Sequence, residues 1–248
     1  MPKIIVVTGG GRGIGAETAR LAAARGYAVC VNYRKNQAAA DSVVASIVAA
    51  GGSAIAVGAD VASEPDVVRL FATVDARLGR LDALVNNAGI LERQTRVEHI
   101  DGARLDRIFA TNVRGAFLCA REAVRRMSTA HGGAGGAIVN VSSRAALLGA
   151  PGEYVDYAAS KAALEALTIG LSREVAAEGI RVNGVRPGII YSEIHADGGE
   201  PGRVDRIGPT LPMQRGGEAI EVARAILWLL SDEASYSTGT SIDVSGGR

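Results

Sequence analysis

Seven short apolar runs, rich in β-branched residues, alternate with longer Ala-rich stretches of helical period along this 248-residue chain. Runs this short read as strands buried on both faces, and strands separated by helices are joined side by side through crossovers that lay each helix back on a parallel sheet. Strands are expected at Lys3–Thr8, Ala28–Asn32, Ala54–Gly58, Ala83–Asn86, Ala137–Ser142, Arg181–Arg186 and Ser241–Val244. Helices are expected over Gly13–Arg25, Gln37–Ala50, Glu64–Leu78, Arg104–Met127, Tyr157–Ala177 and Glu218–Leu230. No linker, repeat or charge block interrupts the alternation, so residues 1–248 are expected to form a single doubly wound α/β domain. It would hold a seven-stranded parallel sheet with helices on both faces. Two stretches depart from regular structure. His131–Gly136 reads as a plain Gly-rich loop, and Tyr191–Gly217, with Pro201, Pro209 and Pro212, reads as a mobile lid over a substrate.

Bulk properties narrow the function classes. A hydrophobic content of 48% with 21% charged residues is ordinary for a soluble globular chain. The net charge of +1, with no basic run carrying interleaved aromatics, argues against nucleic acid and against an anionic membrane. A small-molecule partner is expected. Cys30 and Cys119 each sit inside an apolar segment, which favours free thiols and a reducing compartment. His99, His131 and His195 lack the spacing of metal ligands, so no metal is expected. The apolar run Ile4–Val7 is far too short for a signal peptide or a membrane span, and the cytoplasm is the expected location.

Thr8-Gly9-Gly10-Gly11-Arg12-Gly13-Ile14-Gly15 follows the first strand and opens an Ala-rich helix. Glycines at a strand-turn-helix junction let a pyrophosphate approach backbone N–H groups, so a dinucleotide is expected. A nucleoside triphosphate is not, because no G-x-x-x-x-G-K-[ST] loop is present. The second strand ends in Asn32-Tyr33-Arg34-Lys35, without the acidic residue that hydrogen-bonds an unphosphorylated adenosine ribose. With Arg12 in the turn, these cations point to a 2′-phosphate and so to NADP rather than NAD, although solvated arginines are common after strands. Asp60, with Val61 beside it, is placed to accept from an adenine amino group or to cap the helix that follows.

Tyr157 and Lys161 stand four residues apart in Tyr-Ala-Ala-Ser-Lys, which puts a phenol and an ammonium on one helical face. A free tyrosine titrates near pH 10, so acid–base work near neutrality needs a shift of roughly three units, about 4 kcal/mol, from a neighbouring positive charge. Of 27 basic side chains only Lys3, Lys35 and Lys161 are lysines, so one placed for solubility alone is less expected than an arginine. The same spacing also falls by chance on exposed helices.

Taken in order, these motifs resemble the short-chain dehydrogenase/reductase family over nearly the whole chain: T-G-x-x-x-G-x-G at Thr8–Gly15, N-N-A-G at Asn86–Gly89, Asn112, Val-Ser-Ser ending at Ser143, Y-x-x-x-K at Tyr157–Lys161, and Pro187-Gly188. The resemblance implies a Rossmann-type fold, a nicotinamide cofactor, and a catalytic group of Asn112, Ser143, Tyr157 and Lys161. In that group Ser143, at a strand's carboxyl end, would hold a carbonyl oxygen, with Ser142 pointing the other way. Tyr157 would pass the proton, Lys161 would lower its pKa and grip the nicotinamide ribose, and Asn112 would hold a relay water. Asn86, Ala88 and Gly89 would lie near the cofactor ribose, and Pro187, Gly188, Ile190 and Ser192 near the nicotinamide. Two departures from the family pattern stand out. Ser192 takes a position where threonine is frequent, and one extra residue lies between Ser143 and Tyr157, which alters the pocket wall.

The expected reaction is hydride transfer between NADP(H) and the carbonyl or secondary alcohol of a small molecule, with the tyrosine as general acid or base. Compatible relatives include 3-oxoacyl carrier-protein reductases and sugar 1-dehydrogenases, and a dinucleotide-binding regulator without turnover is the reading from another class. An NAD-retaining epimerase or dehydratase would need a G-x-x-G-x-x-G turn and an acidic end to the second strand, both missing here. The family also implies a homodimer or homotetramer, with the helices around Phe109, Phe117 and Leu118 and around Leu164 and Leu171 as candidate faces and packing within one subunit as the alternative.

Overall fold

The computed structural model describes residues 2–248. Its strands are β1 Ile4–Val7, β2 Ala28–Tyr33, β3 Ser53–Gly58, β4 Ala83–Asn86, β5 Gly136–Val141, β6 Ile180–Pro187 and β7 Ser241–Val244. They form one seven-stranded sheet in the order β3-β2-β1-β4-β5-β6-β7. Every pairing is parallel. Side chains alternate between two hydrophobic layers: Ile5, Val7, Val29 and Val31 face one, and Ile4, Val6 and Cys30 the other. Both faces are covered, which is why these strands read as continuous apolar runs.

The main helices are α1 Gly13–Ala24, α2 Gln37–Ala49, α3 Glu64–Arg77, α4 Gly102–Phe109, α5 Gly115–Met127, α7 Val155–Val175 and α10 Ala219–Leu230, with short helices α6 Ala145–Leu148, α8 Ile194–Asp197 and α9 Arg203–Ile207 between them. The order reverses about β1, so a crevice opens where β1 and β4 end, the place where folds of this topology take ligands. Cys30 and Cys119 are buried free thiols, each pushed up to about 12 by burial. Among the described residues, no helix is long and apolar enough to cross a membrane, and no three His, Cys, Asp or Glu side chains gather as a metal site.

One expected element is corrected. The helix over Arg104–Met127 runs unbroken but is not α-helical throughout, because residues Ala110–Arg114 form a π-helical segment between α4 and α5. Such widened turns gather at functional sites, and this one holds Asn112. The segment after β6 is also less irregular than its prolines and glycines suggest. It holds α8, α9 and a 3-10 turn at Gly208–Thr210.

Candidate active site

The glycine turn is held from behind. Thr8 Oγ1 donates to Val85 O at 3.1 Å and accepts from the N–H groups of Asn87 and Ala88, each at 3.0 Å, so it ties the end of β1 to the end of β4. Gly9 has φ +61, and a Cβ there would stand 3.0 Å from Ala88 Cα. A Cβ on Gly15 would lie 2.4 Å from Gly9 O and 2.5 Å from Asn87 Nδ2, so α1 reaches the turn only if that residue is glycine. Asn32 is buried under the turn. Its Oδ1 accepts from Gly9 N–H at 3.3 Å, and its Nδ2 donates to Val57 O and Ala59 O. In front, α1 begins at an extended Arg12 with no side-chain cap and no acid in its first turn. An uncapped helix N-terminus beside three glycines is a ready cradle for an anion, and it fits the pyrophosphate of a dinucleotide.

A cleft of about 1300 Å³ runs from this turn in both directions. Tyr33, Arg34, Lys35, Asp60 and Val61 line one end. Arg34 lies 3.8 Å from Asp60 Oδ2, while Asp60 Oδ1 accepts from Ala62 N–H in the turn before α3. No acidic side chain follows β2. Arg12, expected to join Arg34, instead makes an ion pair with Asp197 of α8. A Cβ on Gly13 would come within 3.3 Å of both Ser192 and Glu193, so the segment after β6 rests against the phosphate turn.

Tyr157, Lys161 and Ser143 line the opposite end. The two serines separate by partner: Ser142 Oγ is spent on Lys161 O at 3.2 Å, while Ser143 Oγ accepts from Ala145 N–H at 3.1 Å and keeps its proton for the cleft. Lys161 Nζ is 5.6 Å from the centre of the Tyr157 ring and donates to Val141 O at 2.8 Å. A Cβ on Gly89 would be 3.3 Å from Lys161 Nζ and 3.5 Å from Asn112 Oδ1, so these residues converge. Asn112 is fully buried. Its amide clamps the chain after β4, accepting from Ile90 N–H at 2.8 Å and donating to Ile90 O and Ser160 Oγ, both at 3.0 Å.

The sequence reading has the Lys161 ammonium pulling the phenol down. In the protein alone burial is larger and acts on both groups. It pushes Tyr157 up to about 12 against the opposing pull of the Ser143 hydroxyl, and Lys161 down to about 8 against Glu165. Tyr157 is therefore a protonated donor at neutral pH, and Lys161 a cation at a burial cost. Because the folded pKa of Lys161 lies below its ordinary value, the unfolded chain binds the extra proton between about 8 and 10.5. The cofactor-free protein should thus gain stability across that window as pH rises, and Lys161→Met should lose the gain, as read by urea unfolding across pH.

At the end of β6, Pro187, Gly188, Ile190 and Ser192 line the same cleft as Ser143, Tyr157 and Lys161. Gly188 packs so closely on Ser245 that a Cβ would stand 2.7 Å from its Cα. Asn86 lies below the cleft, donating to Asn140 Oδ1 at 2.9 Å and to Ala116 O, and Asn140 donates to Thr168 Oγ1 of α7. That buried chain fixes α7 over the sheet, a task the sequence reading did not give to Asn86. It also missed Asn87, whose amide donates to Thr8 O and Gly9 O, and the cleft residues Arg144 and Arg248, while Tyr154, His195 and Arg203 line the cleft from segments expected to shape it.

Residues 9–248 match the family model described as enoyl-(acyl carrier protein) reductase. The chain is 60% identical over 245 residues to the uncharacterized oxidoreductase YgfF of Escherichia coli (strain K12), covering 99% of each. The chain belongs to the short-chain dehydrogenase/reductase family. As a member it is an oxidoreductase with the family's seven-stranded fold. Among solved members, a 3-ketoacyl-(acyl-carrier-protein) reductase from Brucella melitensis complexed with NADH is 31% identical with a TM-score of 0.91, covering 99% of this chain and 98% of that one. A short-chain dehydrogenase from Burkholderia cenocepacia J2315 in complex with NADP is 34% identical with a TM-score of 0.90, covering 99% and 97%.

Proposed function

We propose that this oxidoreductase transfers a hydride between NADP(H) and the carbonyl or secondary alcohol of a small molecule, with Tyr157 as general acid and base. The observation that carries the reading is the single cleft in which a helix N-terminus behind a glycine turn faces one way and Ser143, Tyr157 and Lys161 face the other. The nicotinamide, when bound, supplies the hydride. The chain supplies position and a proton. Gly9, Gly13, Ile14 and the α1 N-terminus would hold the pyrophosphate, Asp60 and Val61 the adenine, and Pro187, Gly188, Ile190 and Ser192 the nicotinamide end. Ser143 would hold the carbonyl oxygen while Tyr157 protonates it, and Lys161 would hold the ribose and restore the proton with Asn112. The segment 191–217 is the substrate lid of one catalytic domain in this reading. Following loss of reduced-nicotinamide absorbance with ketones, aldehydes, sugars and 3-oxoacyl thioesters tests it. Binding of cofactor with no consumption by any of them would instead favour a regulator. The activity of the Brucella neighbour makes the thioesters the first substrates to assay.

Preference for NADP rests on Arg34 and Lys35 and on the missing acid after β2. Arg34→Ala should weaken NADPH binding roughly tenfold and leave NADH nearly unchanged, the low end for a charge-assisted contact because the side chain is 44% exposed. Fluorescence titration with both cofactors reads the difference. Self-association is part of the proposal: Phe109 and Phe117 are 38% and 50% exposed on α4 and α5 and would be covered in a dimer or tetramer, whereas Leu164 is already core within the subunit.

A further inference from the structure

Six arginines line the cleft, and five of them face carboxylates: Arg12 with Asp197, Arg20 with Glu17, Arg34 with Asp60, Arg144 with Asp243, and Arg203 with Glu153 and Glu200. The sixth, Arg248, is half-buried, and among the described residues its guanidinium has no hydrogen-bond or ion-pair partner. Burial and the positive charges of Arg203 and Arg144 push its pKa down, with Glu153 acting the other way. Arg144 directly follows Ser143, and Glu153 stands four residues before Tyr157. Arg248 lines the same cleft as Ser143, Arg144, Glu153, Tyr157 and Arg203.

Its position is built. Gly246 and Gly247 take φ +62 and +89 and turn the chain back, with Gly246 O accepting from Met213 N–H at 3.2 Å. A Cβ on Gly247 would stand 2.9 Å from Pro212, so the turn is pressed on the segment 191–217. The Arg248 main-chain O accepts from Ser245 Oγ at 3.3 Å, which ties the end of the turn back on itself. Around this point Arg144 pairs with Asp243, and Arg203 and Arg206 share Glu200, with Glu153 also on Arg203. A part-buried guanidinium without a partner gives up solvation for nothing within the chain, and its planar fork matches a carboxylate.

We propose that Arg248 recognises a carboxylate on the substrate, so that the compound reduced at Tyr157 is an oxo acid. This rests on the hydride-transfer reading of the same cleft. The test compares 3-oxo and 4-oxo carboxylates with their methyl esters as NADPH-dependent substrates of the wild-type protein and of Arg248→Gln. The acids should exceed the esters in kcat/KM by roughly tenfold or more, mainly through KM, and in Arg248→Gln that ratio should fall to near one. A wild-type ratio near one, or a ratio that survives Arg248→Gln, overturns the proposal. Calorimetric titration of the protein loaded with oxidised NADP, which has no hydride to give, with the same acids reads the site without turnover. Binding that Arg248→Gln removes supports it, and absent or unaltered binding overturns it. If the acids bind in this Arg248-dependent way while no carbonyl compound consumes NADPH, the hydride-transfer reading falls and the anion site stands.

Discussion

Tyr157→Phe should lower turnover by roughly a hundred- to ten-thousandfold while the protein stays folded and binds cofactor as before. The substitution removes one hydroxyl from a half-buried ring, and that hydroxyl interacts with Ser143, which lies outside α7. The loss should appear in kcat and kcat/KM together, because the proton is needed only as the carbonyl oxygen gains charge. Ser143→Ala should fall in the same direction by a smaller factor, since in the proposed reaction that hydroxyl would orient the oxygen without supplying the proton. Circular dichroism and cofactor titration of both variants separate a chemical loss from a folding loss. Tyr157→Phe with wild-type turnover would contradict the assignment.

Breaking the buried ion pair behind that tyrosine should cost about 3–5 kcal/mol. Arg104 Nε lies 2.6 Å from Asp156 Oδ2, and Nη2 is 3.2 Å from Oδ1, with side chains only 9% and 0% exposed. The pair joins α4 to the first turn of α7. Arg104 Nη1 also donates to Arg93 O at 2.7 Å, and Asp156 Oδ1 accepts from Tyr157 N–H at 2.9 Å. Asp156→Ala strands a guanidinium in the interior, whereas Arg104→Met with Asp156→Leu replaces both charges by apolar groups and should be far closer to wild type in stability. Urea unfolding of the single and double variants reads the coupling. Because Asp156 is bonded to the backbone of Tyr157, the stable double variant should still lose kcat, which a purely structural role would leave alone. Destabilisation of the double variant equal to the sum of its two single substitutions would show that the pair is not coupled.

The strands were legible because both faces of the sheet are covered, so the central runs such as Ile4–Val7 are apolar throughout. Gly136 and Pro187 lie one residue outside the expected bounds, at ends that no burial pattern marks. The phosphate turn was equally legible, since glycine spacing there answers to contacts such as Gly15 against Gly9 O. Long-range partners were not. Nothing local to Arg12 reveals that Asp197 lies beside it, and nothing near Asn86 reveals Asn140 and Thr168, because those contacts arise only when distant strands and helices meet. The π segment at Asn112 escaped for a related reason: its apolar spacing still suits a helix, and the extra residue is accommodated by tertiary bonds to Ile90 and Ser160. The short helices of the segment 191–217 hide among Pro201, Pro209 and several glycines, residues that ordinarily mark loops.

The most direct test of the central claim follows the hydride itself. NADPH carrying deuterium at the transferring C4 position is incubated with the enzyme and each accepted carbonyl compound, and the alcohol product is analysed by mass spectrometry and NMR. Direct transfer beside Tyr157 gives a product with one deuterium on the new carbinol carbon, on a single face. Cofactor oxidation without deuterium in the product, or equal label on both faces, would contradict it.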